Sequence, residues 1–374
     1  SEWVHQYVTT CSDYRFTVLQ VVTDQYRRQT FEEAVYQLPD QVTSFIRIAP
    51  PGLQSGWKEG LEQWYRNTRK QLDRAVQHSD IVHVANTGFA GWIGMRLART
   101  YHKPLVLTEH ALYWKEVLTG AAALECGYKI SVNKEQKHHT VQMFRGIARK
   151  IYRAADTIIS VSECNISEQR ELGAEKVHYI PNGVERSWLK TQKKRGEKLT
   201  LGWIGRCAEM KNPLRFLDLV QRMDPTADAL MMLCDAGEDA LKQKVITKSK
   251  HCSSLKMIWN RPAAENIDQM DALCITSHNE SQPLVLFEAL ARRVLPFGWR
   301  VGDVTDKYAR VVARDSGIDE LAALIEQTWR DPELWRQEVE KRVERVAADH
   351  TWQSIFERYR SIMQQTDRTN RVVQ

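Results

Sequence analysis

The sequence predicts an α/β protein with two doubly wound domains, each built on a parallel sheet. Short apolar runs rich in β-branched residues alternate with amphipathic stretches along most of the 374 residues, as in parallel strands connected by helices. A charged segment, residues 187–198, interrupts the alternation and has no apolar face, so we expect a linker there. A chain of this length can bury two cores, which is consistent with two domains. Ligands of parallel α/β sheets bind beyond the carboxyl ends of the strands, so we expect a ligand in a cleft between the domains.

The first domain is predicted to span residues 1–186. Its predicted strands are Phe16–Val22, Ile81–Ala85, Pro104–Thr108, Thr157–Val161 and Val177–Ile180. A helix is expected near Trp57–His78, where apolar residues recur on one stripe that favours packing on a core. A second helix near Val141–Ala155 is strongly basic.

The second domain is predicted to span residues 199–350. Its predicted strands are Leu199–Ile204, Ala229–Cys234, Leu255–Ile258, Ala272–Thr276 and Val294–Phe297, and its late helices lie near Asp319–Thr328 and Glu333–Ala348. A C-terminal segment, residues 351–374, contains a further helix near Trp352–Gln364. We expect this segment to pack back on the first domain.

The composition excludes several classes of protein. The 53 Lys and Arg residues against 47 Asp and Glu residues give a net charge of +6, a mild excess that suits anionic ligands but is weak evidence for a nucleic-acid partner. The seven cysteines form no C-x-x-C pair, so neither a zinc knuckle nor a redox dithiol is predicted. No apolar run approaches the ~20 residues of a membrane helix, and no secretory signal is visible, so we expect a cytoplasmic protein.

The first chemical motif follows the strand that ends at Ile204. Gly205 permits a tight turn, and two cations, Arg206 and Lys211, precede a helix that is predicted to begin at about Pro213. Backbone amides at that helix start, together with the two cations, would form a compact anion site. The alternative is a loop that carries two solvated charges.

The second motif, NESQPLVLFEALA, follows the predicted strand Ala272–Thr276. Glu280 lies in the loop and Glu288 on an apolar helix, where a carboxylate needs donors such as the vicinal hydroxyls of a ribose. The alternative is that Glu288 caps the helix or pairs with Arg292.

Together the two motifs resemble those of the retaining glycosyltransferases of family 4, which have the two-domain GT-B fold with Rossmann-like domains. Residues 180–184, 271–275 and 302–304 extend the resemblance over most of the chain. Residues 83–91 and 108–111 are most similar to the branch that makes the bacterial Pel exopolysaccharide.

The resemblance implies a role for each motif residue. Arg206 and Lys211 would neutralise the donor diphosphate, and Glu288 would hold the ribose. Glu280 and the backbone of the next residues would hold the sugar hydroxyls and the phosphate; those residues are Gln282, Pro283, Leu284 and Val285.

The resemblance also implies roles outside these two motifs. His110 would lie beside the transferring sugar and accept a hydrogen bond from it; the alternative is a histidine satisfied within the core or a loop. Arg261 lies in the loop expected to meet the base, next to Asn260, which stands where the family often has glycine.

The implied reaction is transfer of a sugar from a nucleoside-diphosphate sugar to a carbohydrate or lipid-linked acceptor in polysaccharide synthesis, and the expected donor is a UDP-sugar. No D-x-D triplet is present, so neither a metal nor another cofactor is expected. The implied partners are the donor and the acceptor, with peripheral association with a membrane or a synthase complex as a further expectation and no nucleic acid. The acceptor would meet loops such as residues 113–137.

One departure from the family leaves alternatives open. The family opens with a strand and a Gly-Gly loop, whereas residues 1–7 already resemble the first helix. Either a truncated chain or a loss of this segment would explain the departure, and a loss supports a non-catalytic GT-B protein that binds nucleotide or acts as a scaffold subunit. A sugar-nucleotide epimerase of the same fold is a third alternative, which the spacing of Glu280 and Glu288 disfavours. A second glycine series, Gly88-x-x-Gly91-x-x-Gly94, favours close packing of a helix on a strand over phosphate or acceptor contact.

Overall fold

The structure is a computed structural model and describes residues 2–22, 39–52, 56–118 and 133–373. The chain divides into two compact units, one comprising Ser1–Pro181 with Ile355–Gln374 and the other Asn182–Ser354. The segment predicted as a linker, residues 187–198, therefore lies within the second unit. Its cations are anchored there, since Lys193 donates to the carbonyl of Met270 and Arg195 to that of Trp329. Long basic side chains can bury their stems in this way while the charged end finds an acceptor.

The first unit alternates strands and helices. Its strands are β1 Phe16–Val21, β2 Val42–Ile48, β3 Val82–Ala85, β4 Leu105–Glu109, β5 Thr157–Ser160 and β6 Val177–Tyr179. Its helices are α1 Glu2–Thr10, α2 Trp57–Gln77, α3 Phe89–Thr100, α4 Tyr113–Leu118, α5 Lys134–Ala154 and α6 Ile166–Glu171, to which most of the C-terminal helix α12, Trp352–Val373, is added.

All strand pairs of this unit are parallel, but they form two sheets. One contains β1 and β2, and the other has the order β3-β4-β5-β6. Helix α1 contacts both sheets through Tyr7, whose ring centroid lies 5.3 Å from that of Phe16 in β1 and 5.2 Å from that of His83 in β3. The aromatic face of α12 packs on the same helix, with Phe356 at 5.3 Å from Tyr7. Aromatic packing therefore joins the two sheets among the described residues.

The glycine series at the start of α3 serves close packing, as the sequence favours. A Cβ on Gly94 would lie 2.2 Å from Cγ1 of Val84 in β3, and one on Gly91 would lie 2.3 Å from the carbonyl oxygen of Asn86. These distances are far below van der Waals contact, so α3 approaches β3 closely because both residues lack a side chain.

We expect Gly94→Ala to lower the free energy of unfolding by about 1–3 kcal/mol, because the added methyl group overpacks the contact with Val84. Gly52→Ala is the matched control, since a Cβ at Gly52 meets nothing within 4 Å. Urea unfolding of the two variants measures the difference, and equal stabilities would contradict the packing role.

The second unit contains one sheet. Its strands are β7 Thr200–Cys207, β8 Asp228–Asp235, β9 Leu255–Trp259, β10 Ala272–Ile275, β11 Leu295–Trp299 and β12 Arg310–Val312. Its helices are α7 Pro213–Arg222, α8 Asp239–Ser249, α9 Leu284–Ala291, α10 Ile318–Arg330 and α11 Pro332–Asp349.

This sheet is fully parallel, with the order β12-β11-β10-β7-β8-β9. Its central strand β10 is buried on both faces: Ala272 and Cys274 belong to one apolar cluster, and Leu273 and Ile275 belong to another. A strand covered on both faces reads as a continuous apolar run, which is why the sequence identified it. Lys211 follows the carboxyl end of β7 and Glu280 follows that of β10, so both polar residues lie at the same edge of the sheet.

The predicted α/β class with parallel sheets is confirmed, and the differences concern individual elements. Strands β2 and β12 were not predicted, and α5 begins seven residues earlier than expected, at Lys134. Its first turns are polar and lack an apolar stripe, but Asn133 caps them by accepting from the amide of Glu135 at 2.9 Å. Within the described ranges, no helix is long and apolar enough to cross a bilayer.

Candidate functional site

A recess in the second unit brings several motif residues together where β7 and β10 end. It is lined by Trp203, Ile204, Lys211, Leu273, Cys274, Ile275, Thr276, Ser277, Glu280 and Val285. Three residues that the sequence singled out, Lys211, Glu280 and Val285, therefore share one space. Ligands of parallel α/β sheets bind at this edge.

The turn that carries Lys211 is fixed to the end of β10. The Thr276 hydroxyl lies 2.9 Å from the carbonyl oxygens of both Lys211 and Asn212, and it accepts a hydrogen bond of 2.9 Å from the Trp203 indole. The amide of His278 adds a hydrogen bond of 2.8 Å to the carbonyl of Met210. The backbone of Lys211 is thus held on both sides, which leaves its side chain to aim into the recess.

Lys211 and Glu280 form an ion pair inside the recess. The ammonium Nζ donates to Oε1 of Glu280 at 2.6 Å, and the hydroxyl of Ser277 donates to the same oxygen at 2.6 Å. The Glu280 side chain is only 8% exposed, compared with 21% for Lys211. Two donors therefore hold one oxygen of the Glu280 carboxylate in place.

The two helix starts at this edge differ in their capping. The Oδ1 atom of Asn212 caps α7 by accepting from the amide of Arg215, so the helix start predicted as an anion site already has an acceptor. No side chain caps α9, whose N-cap is Pro283 and whose first helical residue is Leu284. The start of α9 is therefore the more open end for an anion, and Val285 of its first turn lines the recess.

Arg206, Glu288 and Arg261 are among the predicted residues that lie outside the lining. Arg206 is exposed at the end of β7, beyond Gly205, and makes no ion pair with any described residue. Glu288 is half-buried on α9. The guanidinium of Arg292, the alternative partner of Glu288, donates to the Asp268 carboxylate at 2.7 Å. Arg261 is exposed after β9; it follows Asn260, whose φ of 53° is a left-handed conformation that asparagine and glycine tolerate.

The predicted role of Gln282 concerns its backbone, and its side chain makes contacts of its own. Gln282 is 6% exposed and does not line the recess; its Oε1 accepts from the amide of Asn182 at 2.6 Å. Its Nε2 donates to the Asp303 carboxylate at 2.8 Å. The side chain therefore braces the loop from behind, and only the backbone of Gln282 can face a ligand.

His110 lies in the first unit, directly after β4. Its amide donates to Oδ1 of Asn86 at 2.7 Å, and its ring makes an edge contact with Trp3 at a centroid distance of 4.8 Å. Burial lowers the pKa of His110 to about 4, so the ring is neutral at pH 7. Its Nε2 is buried without a hydrogen-bond partner among the described residues.

The residue before His110, Glu109, is a fully buried carboxylate, and its burial was not predicted from the sequence. Glu109 accepts from the hydroxyl of Tyr152 at 2.6 Å and from the amide of Thr87 at 3.0 Å. Burial raises the pKa of Glu109 to about 7, although these hydrogen bonds favour the anion. Glu109 therefore ties the end of β4 to α5 and to the loop that precedes α3.

The sequence analysis assigned no role to the residues that support the site from behind. Thr276 and Ser277 orient Lys211 and Glu280, and Asn182 and Asp303 hold Gln282. For Thr276 and Ser277, a signal was available in the sequence: the apolar strand changes to two hydroxyl residues directly at its end. Predicted loop residues 119–132, part of the expected acceptor region 113–137, lie outside the described residues.

Comparison with known proteins separates the two parts of the chain. Residues 184–345 match the family model of glycosyl transferases group 1. Residues 61–177 match the model of a domain of unknown function (DUF3492). No curated protein matches the sequence.

Solved structures match almost the whole chain. The sucrose-phosphate synthase of Thermosynechococcus elongatus has a TM-score of 0.74 and 15% identity, covering 97% of this chain and 92% of that one. Anabaena HepE in complex with UDP-glucose has a TM-score of 0.70 and 14% identity over 97% and 95% of the two chains. A glycosyltransferase from Rickettsia africae has a TM-score of 0.69 and 12% identity, with coverages of 97% and 93%. At these identities the likeness concerns the fold, and it confirms the predicted fold class.

Proposed function

From the premise that the protein is a glycosyltransferase of the GT-B fold with a group 1 domain, we propose that it transfers a sugar from a UDP-sugar with retention of configuration. The observation that carries the proposal is the shared recess of Lys211 and Glu280 at the uncapped start of α9. Anabaena HepE, a structural neighbour, binds UDP-glucose, which supports the choice of nucleotide.

The donor diphosphate would occupy the edge where Lys211 meets the first turn of α9. The ammonium group and the backbone amides at the helix start both favour an anion. Arg206, exposed and without an ion pair among the described residues, supplies a second cation at the end of β7. Positive charge from side chains and amides would stabilise the departing diphosphate, so we propose that no metal is required.

Glu280 is proposed to bind the sugar rather than to attack it. Its Oε1 accepts from Lys211 and Ser277, and these contacts would hold the carboxylate beside the sugar hydroxyls. In the proposed step the bond between the sugar C1 and the phosphate oxygen breaks, and C1 bonds to the acceptor oxygen on the same face. The acceptor proton passes to the departing diphosphate, so the products are a glycoside and UDP.

His110 is proposed to accept a hydrogen bond from a sugar hydroxyl through its neutral ring. Glu288 is proposed to bind the ribose hydroxyls, and Arg261 to meet the base. The acceptor is proposed to be a carbohydrate or a lipid-linked glycan of the kind used in Pel-like exopolysaccharide synthesis. The sequence segments 83–91 and 108–111 support this branch.

UDP is expected to raise the melting temperature of the protein. A ligand at 100 times its Kd adds ~2.7 kcal/mol to the free energy of unfolding. Thermal unfolding with UDP, with and without EDTA, measures the effect, and we expect the same shift in both. Adenosine diphosphate is the control for the base, and no shift with UDP would contradict the proposed donor.

A non-catalytic GT-B protein remains the second candidate, and the burial of His110 Nε2 beside Trp3 favours it. Such a protein would bind UDP without turnover. Release of UDP from UDP-glucose and other UDP-sugars, measured with and without added glycan acceptors, distinguishes the two functions.

A further inference from the structure

The turn that follows β11 touches the loop that carries Glu280. Gly302 begins this turn with a left-handed φ of 55°. A Cβ at Gly302 would lie 2.1 Å from the carbonyl oxygen of Glu280 and 2.7 Å from that of Ser281. Real Cβ atoms do not approach an oxygen this closely, so any side chain at position 302 would displace the backbone of Glu280.

The next residue, Asp303, holds the same loop by hydrogen bonds. Its amide donates to the carbonyl of Ser281 at 2.8 Å, and its Oδ2 accepts from Nε2 of Gln282 at 2.8 Å. Asp303 is 4% exposed, so water cannot easily replace these bonds. Two residues of the turn therefore contact three consecutive residues of the Glu280 loop.

The far side of Gln282 is fixed as well. The amide of Asn182 donates to Gln282 Oε1 at 2.6 Å, and the Asn182 carbonyl accepts from Nδ1 of His350 at 3.0 Å. The His350 ring stacks on Phe287 of α9 at a centroid distance of 4.4 Å. The network thus closes on the helix whose first turn lines the recess, and all of these groups belong to the second unit.

We propose that Gly302 and Asp303 form a positioning element that sets the place of Glu280 and of the start of α9. This inference rests on the proposed function, since it concerns the same donor site. Neither residue lines the recess, so each acts through the loop and not by contact with the donor. A displacement of about 1 Å at a binding group can reduce activity by about 100-fold, and the Gly302 contact would force a shift of that size.

Gly302→Ala tests the steric half of the proposal, and Gly237→Ala is its matched control. Both glycines have a left-handed φ, 55° and 75°, but a Cβ at Gly237 meets nothing within 4 Å. The two substitutions therefore carry the same type of backbone strain, and only one reaches Glu280. We expect the Kd for UDP to rise at least tenfold in Gly302→Ala and less than twofold in Gly237→Ala, measured by calorimetric titration.

Asp303→Ala and Asp303→Asn test the hydrogen-bonding half. Asparagine keeps an acceptor oxygen for Gln282 Nε2, whereas alanine removes it. We expect Asp303→Ala to raise the Kd for UDP at least tenfold, and Asp303→Asn to stay within about threefold of the natural protein. Equal losses in both variants would show that Asp303 does not act through Gln282, and would overturn this half of the proposal.

Hydrogen exchange in the ligand-free protein separates this inference from the proposed function. We expect the amides of residues 278–286 to exchange at least tenfold faster in Gly302→Ala and Asp303→Ala, with no change in Gly237→Ala. Unchanged exchange in this segment would overturn the positioning role. If the natural protein does not bind UDP but exchange rises as expected, the proposed donor is wrong and the positioning role stands.

Discussion

Replacing Lys211 by alanine is expected to reduce kcat/KM for the UDP-sugar about 100-fold, the usual loss on removing one preorganised donor to a developing charge. The loss has two parts in this structure. The variant lacks the ammonium group that would face the diphosphate. It also removes one of the two donors, Lys211 and Ser277, that hold the Glu280 carboxylate, which is 8% exposed. Initial rates of UDP release across donor concentrations measure the change.

Lys248→Ala is the matched control for this prediction. Lys248 also pairs with a carboxylate, that of Asp218, and is 28% exposed on α8, compared with 21% for Lys211. Its removal deletes one charge from the same unit but none from the recess, so we expect kcat/KM to remain within twofold. A similar loss in both variants would mean that Lys211 acts through net charge or stability alone.

Replacing Glu109 by glutamine is expected to change how stability depends on pH. Burial raises the pKa of Glu109 to about 7, from an ordinary value of 4.5, so the native state holds this proton more tightly than the unfolded chain. The stabilisation is complete below pH 4.5 and is lost as pH rises towards 7. The free-energy advantage of the natural protein over Glu109→Gln should therefore fall by about 2–3 kcal/mol between pH 5 and pH 8.

Urea unfolding of both proteins across this pH range measures the difference. Burial lowers the pKa of His83 to about 3 and that of His110 to about 4, which gives the opposite pH dependence, but both proteins contain these residues and the contributions cancel. Glu175→Gln, at an exposed position of the same unit, is the control and should give a nearly constant difference. A constant difference for Glu109→Gln as well would show that Glu109 is ionised throughout.

The sequence predicted most of the sheet because buried parallel strands leave a strong local pattern. Strand β10 was recognised as a continuous apolar run, and only its boundary differs by one residue, since it ends at Ile275 rather than Thr276. Strand β12 has three residues, all half-buried, and gives too short a pattern to detect. Strand β2 alternates imperfectly, with two adjacent exposed residues at its start, which hides its apolar face.

The chemistry of the site was predictable from motifs, but its geometry was not. The spacing of Lys211 and Glu280 placed both at strand ends, yet their direct ion pair of 2.6 Å depends on the pairing of β7 with β10. The side-chain direction of Gln282 depends on Asn182, which is 100 residues away in the chain. Contacts of this kind arise from tertiary packing and leave no local signal.

The segment predicted as a linker shows that composition alone can mislead about order. Residues 187–198 are charged and lack an apolar stripe, which normally indicates a solvated connection. In the structure Lys190 pairs with Asp268 at 2.6 Å, and the Arg195 guanidinium lies 3.6 Å from the centroid of the Trp329 ring. Lys190, Lys193 and Arg195 find partners in distant parts of the chain, and the segment's own sequence does not reveal these contacts.

A crystal structure of the UDP complex tests the central proposal most directly. We predict that the diphosphate lies within hydrogen-bonding distance of Lys211 Nζ and of the backbone amides at the start of α9. Diphosphate bound at another place, with the ion pair of Lys211 and Glu280 intact and the recess empty, would contradict the proposed donor site.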